Sequence, residues 1–133
     1  MHVLKQLPEQ FIIYGYDEEK QDSNLKFKKT GMHMLKDLGT TKAVIASAGF
    51  TLLSEALYLK KPYFAIPLRG QFEQTMNALF LKQSGYGTFS EDPSLNDLRH
   101  FLHKLSRYRK KLRSYKSDPQ GAINVLDKIL KQF

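Results

Sequence analysis

Short apolar runs alternate with amphipathic stretches along most of the chain. Phe11-Ile12-Ile13-Tyr14, closed by Gly15, then Ala43-Val44-Ile45-Ala46-Ser47 and Tyr63-Phe64-Ala65-Ile66-Pro67, read as three buried strands. Leu25-Lys26-Phe27-Lys28 alternates and reads as a further short strand, after a polar, acidic loop from Asp17 to Asn24. Met32 to Leu38 has the pattern of one or two helical turns. Leu52, Leu53, Ala56, Leu57 and Leu59 give a helix over 49–60 an apolar face, and Met76, Leu79, Phe80 and Leu81 do the same for a helix over 72–84. Gly85 to Phe89 reads as a turn into a short edge strand. Ser94 suits a helix N-cap. Leu95, Leu98, Phe101, Leu102, Leu105, Tyr108, Leu112 and Tyr115 then recur at helical spacing, which predicts one long helix stopped by Asp118-Pro119. A last helix is expected over 122–133.

Strands alternating with helices predict an α/β domain, a Rossmann-like parallel sheet flanked by helices, spanning 1–133 as a single unit. In such sheets ligands sit beyond the carboxyl ends of the strands. Ser47 to Thr51 follows one strand end and Arg69 to Gln74 the next, so both polar clusters are expected to line one crevice.

Each cluster has a chemical and a plain reading. A helix starting at Ala48-Gly49-Phe50-Thr51 presents unpaired N–H groups and a partial positive charge, which suits a phosphate. Gly49 admits a close backbone approach, Ser47 and Thr51 add hydroxyls, and Glu55 can accept hydrogen bonds from a ribose diol. On the plain reading Ser47 or Thr51 caps the helix and Glu55 is a favourable first-turn acid. Gln71, Glu73, Gln74 and Asn77 offer donors and acceptors suited to sugar hydroxyls. Alternatively they form a polar first turn with Asn77 buried and satisfied.

Composition narrows the classes. The chain has 133 residues, enough to bury about two-thirds of its unfolded surface, and no cysteine, so it holds no disulfide or thiolate metal site. No apolar run approaches a membrane span and no signal pattern opens the chain, so a soluble, cytoplasmic protein is expected. The net charge is +8, yet residues 98–117 carry eight Lys or Arg and no acid, leaving 13 of each sign elsewhere. That basic helix reads as a solvated face packed on the sheet. It also fits a peripheral contact with anionic lipid, or a non-catalytic module holding an anionic partner; no nucleic-acid-binding motif is present. His100 and His103 lack a third ligand, so no metal is expected.

Ser-Ala-Gly-Phe-Thr-Leu-Leu-Ser-Glu, then Lys-Pro, Ile-Pro and Gln-Phe-Glu-Gln-x-x-Asn-Ala, resembles the donor-binding, C-terminal half of GT-B glycosyltransferases. Family 28 members are the particular likeness: the N-acetylglucosamine transferase of peptidoglycan synthesis and relatives labelled teichoic-acid biosynthesis proteins. UDP-glycosyltransferases share the skeleton. The resemblance implies binding of a nucleotide-sugar, with UDP-sugar as donor, for transfer of a hexose or N-acetylhexosamine to a cell-envelope or lipid-linked acceptor. It implies that Ser47, Gly49, Phe50 and Thr51 contact the donor diphosphate and Glu55 the ribose. Gln71, Glu73, Gln74 and Asn77 would face the sugar, and a loop formed by Phe27, Lys28, Lys29 and Thr30 the base. Many relatives carry His where this chain has Ser47. The family's first strand with its Gly-rich loop, and the acceptor domain that supplies the general base, have no counterpart here. No catalytic residue and no cofactor is therefore assigned, and the acceptor half is expected as a fused or separate partner.

Overall fold

The structure, a computed structural model, describes residues 3–14, 19–29 and 33–115. A 3-10 turn at Leu4–Gln6 leads to strands β1 (Phe11–Tyr14), β2 (Lys20–Asp22) and β3 (Leu25–Lys28) and helix α1 (His33–Thr40). Then come β4 (Val44–Ala46), α2 (Phe50–Tyr58), β5 (Tyr63–Ala65), α3 (Phe72–Ser84), β6 (Gly87–Phe89), α4 (Leu95–His103) and α5 (Leu105–Leu112). The chain is α/β, with helices flanking a parallel sheet. The expected stop at Asp118-Pro119 and the helix over 122–133 lie outside the described residues, as do Gly15, Thr30 and Met32.

Among the described residues, the single sheet expected from the pattern is two three-stranded sheets, ordered β1-β3-β2 and β4-β5-β6. The second is parallel throughout. In the first, β1 runs parallel to β3 but β2 runs antiparallel to it. β2 falls in the stretch expected to be loop, because Lys20 and Gln21 are exposed and show no apolar alternation. A two-residue turn, with Ser23 at φ 56°, closes the β2–β3 hairpin. The Asn24 amide then reaches the carbonyls of Leu4, Leu7 and Glu9 at 2.9, 3.0 and 2.8 Å, fixing the segment before β1. β1 is less buried than its sequence implies: Ile12 is 45% exposed. The strand has a ladder partner on one side only among the described residues, so part of its apolar surface stays open.

The core lies on both faces of β4-β5-β6. Tyr63 and Ala65 turn to one face and meet Leu53, Ala56, Leu57, Met76 and Leu81 from α2 and α3. Phe64 turns to the other and meets Leu7, Leu98 and Phe101, with the Phe64 and Phe101 rings edge to face at 5.5 Å. Burying each large side chain contributes about 1.5–3 kcal/mol. Gly87 permits the tight β5–β6 contact: a Cβ there would sit 1.8 Å from the Tyr63 carbonyl oxygen.

The long basic helix is also two helices. It breaks at Lys104, with φ −101° and ψ 11°, between α4 and α5. The cause is packing. Leu98, Phe101, Leu105 and Tyr108 serve the cluster around Phe64, whereas Leu112 and Tyr115 serve the cluster around Tyr63. One straight axis would have to address both faces at once, and the turn at Lys104 redirects the stripe.

Candidate site at the carboxyl ends of β4 and β5

The loops after β4 and β5 carry both polar clusters, and two side chains lock them together. Asn77, one turn inside α3, donates its amide to the Ala48 carbonyl at 2.8 Å. Tyr63 on β5 donates its hydroxyl to the Ser47 carbonyl at 2.6 Å, and burial pushes that hydroxyl's pKa up. The starts of α2 and α3 are thus neighbours: Ala48 of the first cluster meets Asn77 of the second. The Asn77 contact also fits its plain reading, a half-buried amide with a partner. Tyr63 was missed by the sequence reasoning. The signal for it was a phenol on a strand buried enough to require a hydrogen-bond acceptor.

The start of α2 is bare. Gly49 is its N-cap, and among the described residues no side chain accepts from the first N–H groups, so neither Ser47 nor Thr51 caps the helix. Gly49 has φ −66° and ψ 140°, a conformation open to any residue, and a Cβ there would meet nothing within 4 Å. Packing therefore does not demand glycine at this position. Ser47, Phe50 and Thr51 are exposed, Phe50 to 66%. Glu55 is half-buried and sits in the second turn, with no acid in the first turn of α2. Its plain reading as a first-turn acid is thereby corrected.

The start of α3 is built differently. Gln74 turns its carbonyl oxygen back to accept the Leu68 N–H at 3.0 Å, which shapes the loop containing Gly70 at φ 79°. Gln71 is the N-cap and Glu73 lies in the first turn, both exposed. The arrangement offers bare N–H donors and a helix dipole on one side, suited to an anion. On the other it offers carboxylate and amide groups suited to hydroxyls.

The third predicted cluster differs from its expectation. Phe27 and Lys28 belong to β3, not to a loop. Phe27 is 5% exposed, with the Lys20 ammonium 5.2 Å from its ring centre. The Lys28 ammonium pairs with Asp37 of α1 at 2.7 Å, and Tyr14 donates its hydroxyl to the same carboxylate. Burial, followed by Asp37, pushes the Tyr14 pKa up to about 12. Lys29 is exposed, and Thr30 lies outside the described residues. No group of three or more metal-ligating side chains occurs among the described residues, and no helix there is long and apolar enough to cross a membrane.

Known proteins bear on this geometry. A relative from Bacillus cereus, UDP-N-acetylglucosamine–N-acetylmuramyl-(pentapeptide) pyrophosphoryl-undecaprenol N-acetylglucosamine transferase 3, is 29% identical over 113 residues, covering 77% of this chain and 32% of the relative. The corresponding transferase 1 of Bacillus thuringiensis is 29% identical over 132 residues, covering 87% and 37%. The chain thus spans about a third of the length of these relatives. Among solved structures, the spinosyn forosaminyltransferase SpnP superposes with a TM-score of 0.69 at 15% identity, over 97% of this chain and 33% of that one. The glycotransferase of kitacinnamycin gives 0.61 at 17% identity, over 99% and 37%. The family described as glycosyl transferase family 1 matches residues 1–106. By that match the chain belongs to glycosyl transferase family 1, and it carries the fold of GT-B glycosyltransferases.

Proposed function

We propose that this chain is the donor-binding part of a glycosyltransferase, holding a UDP-sugar between α2 and α3. The observation that carries the reading is the α2 N-terminus. It is left without a side-chain cap by a glycine that neither backbone conformation nor packing requires, and it opens to solvent. The donor diphosphate sits on the N–H groups of Phe50 and Thr51, beside Ser47 and Gly49. Glu55 accepts the ribose hydroxyls, and Gln71, Glu73, Gln74 and Asn77 surround the sugar. Gln74 and Asn77 act partly by shaping the loops, since both already hold backbone groups. For the base, Lys29 and Thr30 remain the candidates. Phe27 is buried and Lys28 is engaged, so neither is presented to a ligand.

The chain's part in catalysis is stabilisation of the departing nucleoside diphosphate by aligned N–H groups. The acceptor hydroxyl and its general base come from an acceptor half, fused or separate. The names of the relatives, transferases acting on an N-acetylmuramyl-(pentapeptide) pyrophosphoryl-undecaprenol, support a lipid-linked, cell-envelope acceptor.

The test is a UDP titration followed by amide chemical shifts. Shifts should cluster at residues 49–55 and 71–77. Glu55→Ala should weaken binding by about 1–3 kcal/mol, the scale of a lost charged hydrogen bond. Unchanged affinity in that variant removes Glu55 from the site, and shifts confined elsewhere remove the donor reading.

A further inference from the structure

A second concave surface lies beyond the far end of α3, at β6. Hydrogen bonding fixes which way this strand faces. The Tyr86 carbonyl accepts the Tyr63 N–H at 3.3 Å, and the Ser90 N–H donates to the Ala65 carbonyl at 3.1 Å. In a parallel ladder alternate residues point their N–H and C=O groups to the same side. Gly87 and Phe89 therefore turn their N–H groups away from β5, and no strand pairs with them there among the described residues. Gly87 is nevertheless buried, which leaves no room for a further strand. Whatever meets its N–H must be small.

A cavity of about 470 Å³ lies between β6 and the α4–α5 pair, and Gly87 and Phe89 line it. Cations reach it from two sides. Lys82 comes from the last turn of α3, and Lys104 and Arg107 come from the junction of α4 with α5 and the first turn beyond it. The Lys82 ammonium lies 5.6 Å from the centre of the Phe89 ring, a contact that holds it at the cavity wall. None of the ion pairs among the described residues involves these three cations. The carboxylate that does line the cavity, Asp97, is held in the capping box of α4, where it accepts the Ser94 N–H at 2.9 Å.

Three cations against that one carboxylate leave the lining with a formal excess of two positive charges. The groups that converge are donors: two ammoniums, a guanidinium and the outward N–H groups of β6. An apolar ligand would leave them unmet, and a monoanion would neutralise only half the excess. A phosphate group carries close to two negative charges at neutral pH, and its oxygens can meet donors from α3, β6 and α5 together. We propose that this cavity is a binding site for a phosphate group, carried by a free phosphate or by the head of a phosphate-bearing lipid. The site is separate from the α2 start, so the proposal stands apart from the donor site and survives its failure.

The experiment titrates inorganic phosphate into the isotope-labelled full chain at constant ionic strength and follows amide shifts. Saturable shifts should appear at Gly87, Thr88, Phe89 and Lys104, apart from any at residues 49–51, which report the α2 start. Succinate, a dianion built of carboxylates, should need a much higher concentration to move the same signals. A second arm tests phosphatidylcholine vesicles containing phosphatidic acid. Co-sedimentation that inorganic phosphate competes away assigns the lipid source, and phosphate shifts without co-sedimentation assign free phosphate. Lys104→Gln/Arg107→Gln should weaken phosphate binding about tenfold, the combined scale of two exposed charge contacts removed. Arg109→Gln/Lys110→Gln, on exposed positions outside the cavity, should change it little. Lys82→Gln serves as an independent variant should the first pair lower the melting temperature. Equal losses in the two paired variants, an equal response to succinate, or signals at Gly87 to Phe89 that phosphate leaves in place would overturn the proposal.

Discussion

Gly49 is where stability and ligand binding pull in opposite directions. Asp at an N-cap is more stabilising than Gly by a few tenths of a kcal/mol, and its charge suits the helix dipole. Gly49→Asp should therefore raise the melting temperature slightly while reducing UDP affinity at least about tenfold by placing a like charge against the diphosphate. A variant that melts higher and still binds UDP as well as the parent would show that the phosphate lies elsewhere. At this scale the sequence was informative where chemistry is local. The glycine and the polar residues follow two neighbouring strand ends, and Asn77 and Tyr63 both hold the loop after β4 through its carbonyls. It was silent where a side chain's partner is distant along the chain. Lys28 reads as part of a base-binding loop, yet Asp37 on the next helix holds it.

Elements were legible in proportion to their punctuation. Helix α3 has the bounds that the pattern predicts, because Gly85 stops it in the left-handed conformation at φ 80°. Helix α2 ends at Tyr58, two residues before the expected Lys60. Lys60 itself takes the left-handed position at φ 62°, so no glycine announces the end. The break at Lys104 carries neither Gly nor Pro; it follows from the two separate cores that α4 and α5 serve, a tertiary fact with no local signal. The start of α4, by contrast, is written out. Ser94 and Asp97 form a reciprocal capping box, with bonds of 2.9 and 3.1 Å. Ser94→Ala should cost about 1 kcal/mol, read as a lower urea midpoint with an unchanged slope. No change in midpoint would mean that Leu98 and Phe101 anchor the helix without its cap.

On the scale of the whole molecule, the alternation of strands and helices fixed the α/β class but hid the division of the sheet. Phe11 of β1 and Ile45 of β4 pack against the same apolar cluster, yet among the described residues no ladder joins their strands. That seam is expected to divide the chain's cooperativity. β5 is buried along its whole length, whereas the β1-β3-β2 sheet leaves Ile12, Lys20 and Gln21 exposed. In urea, the backbone amides of Leu25 and Phe27 should lose their protected signals at lower concentration than those of Tyr63 and Phe64. Coincident loss would mean that packing across the seam suffices to couple the sheets. Ligand linkage would then act unevenly. A nucleotide bound at the α2 start stabilises only the unit that opens when it is released. Saturating UDP should shift the later transition and leave the earlier one in place, so one chain would have two stabilities, only one of them answering to its ligand.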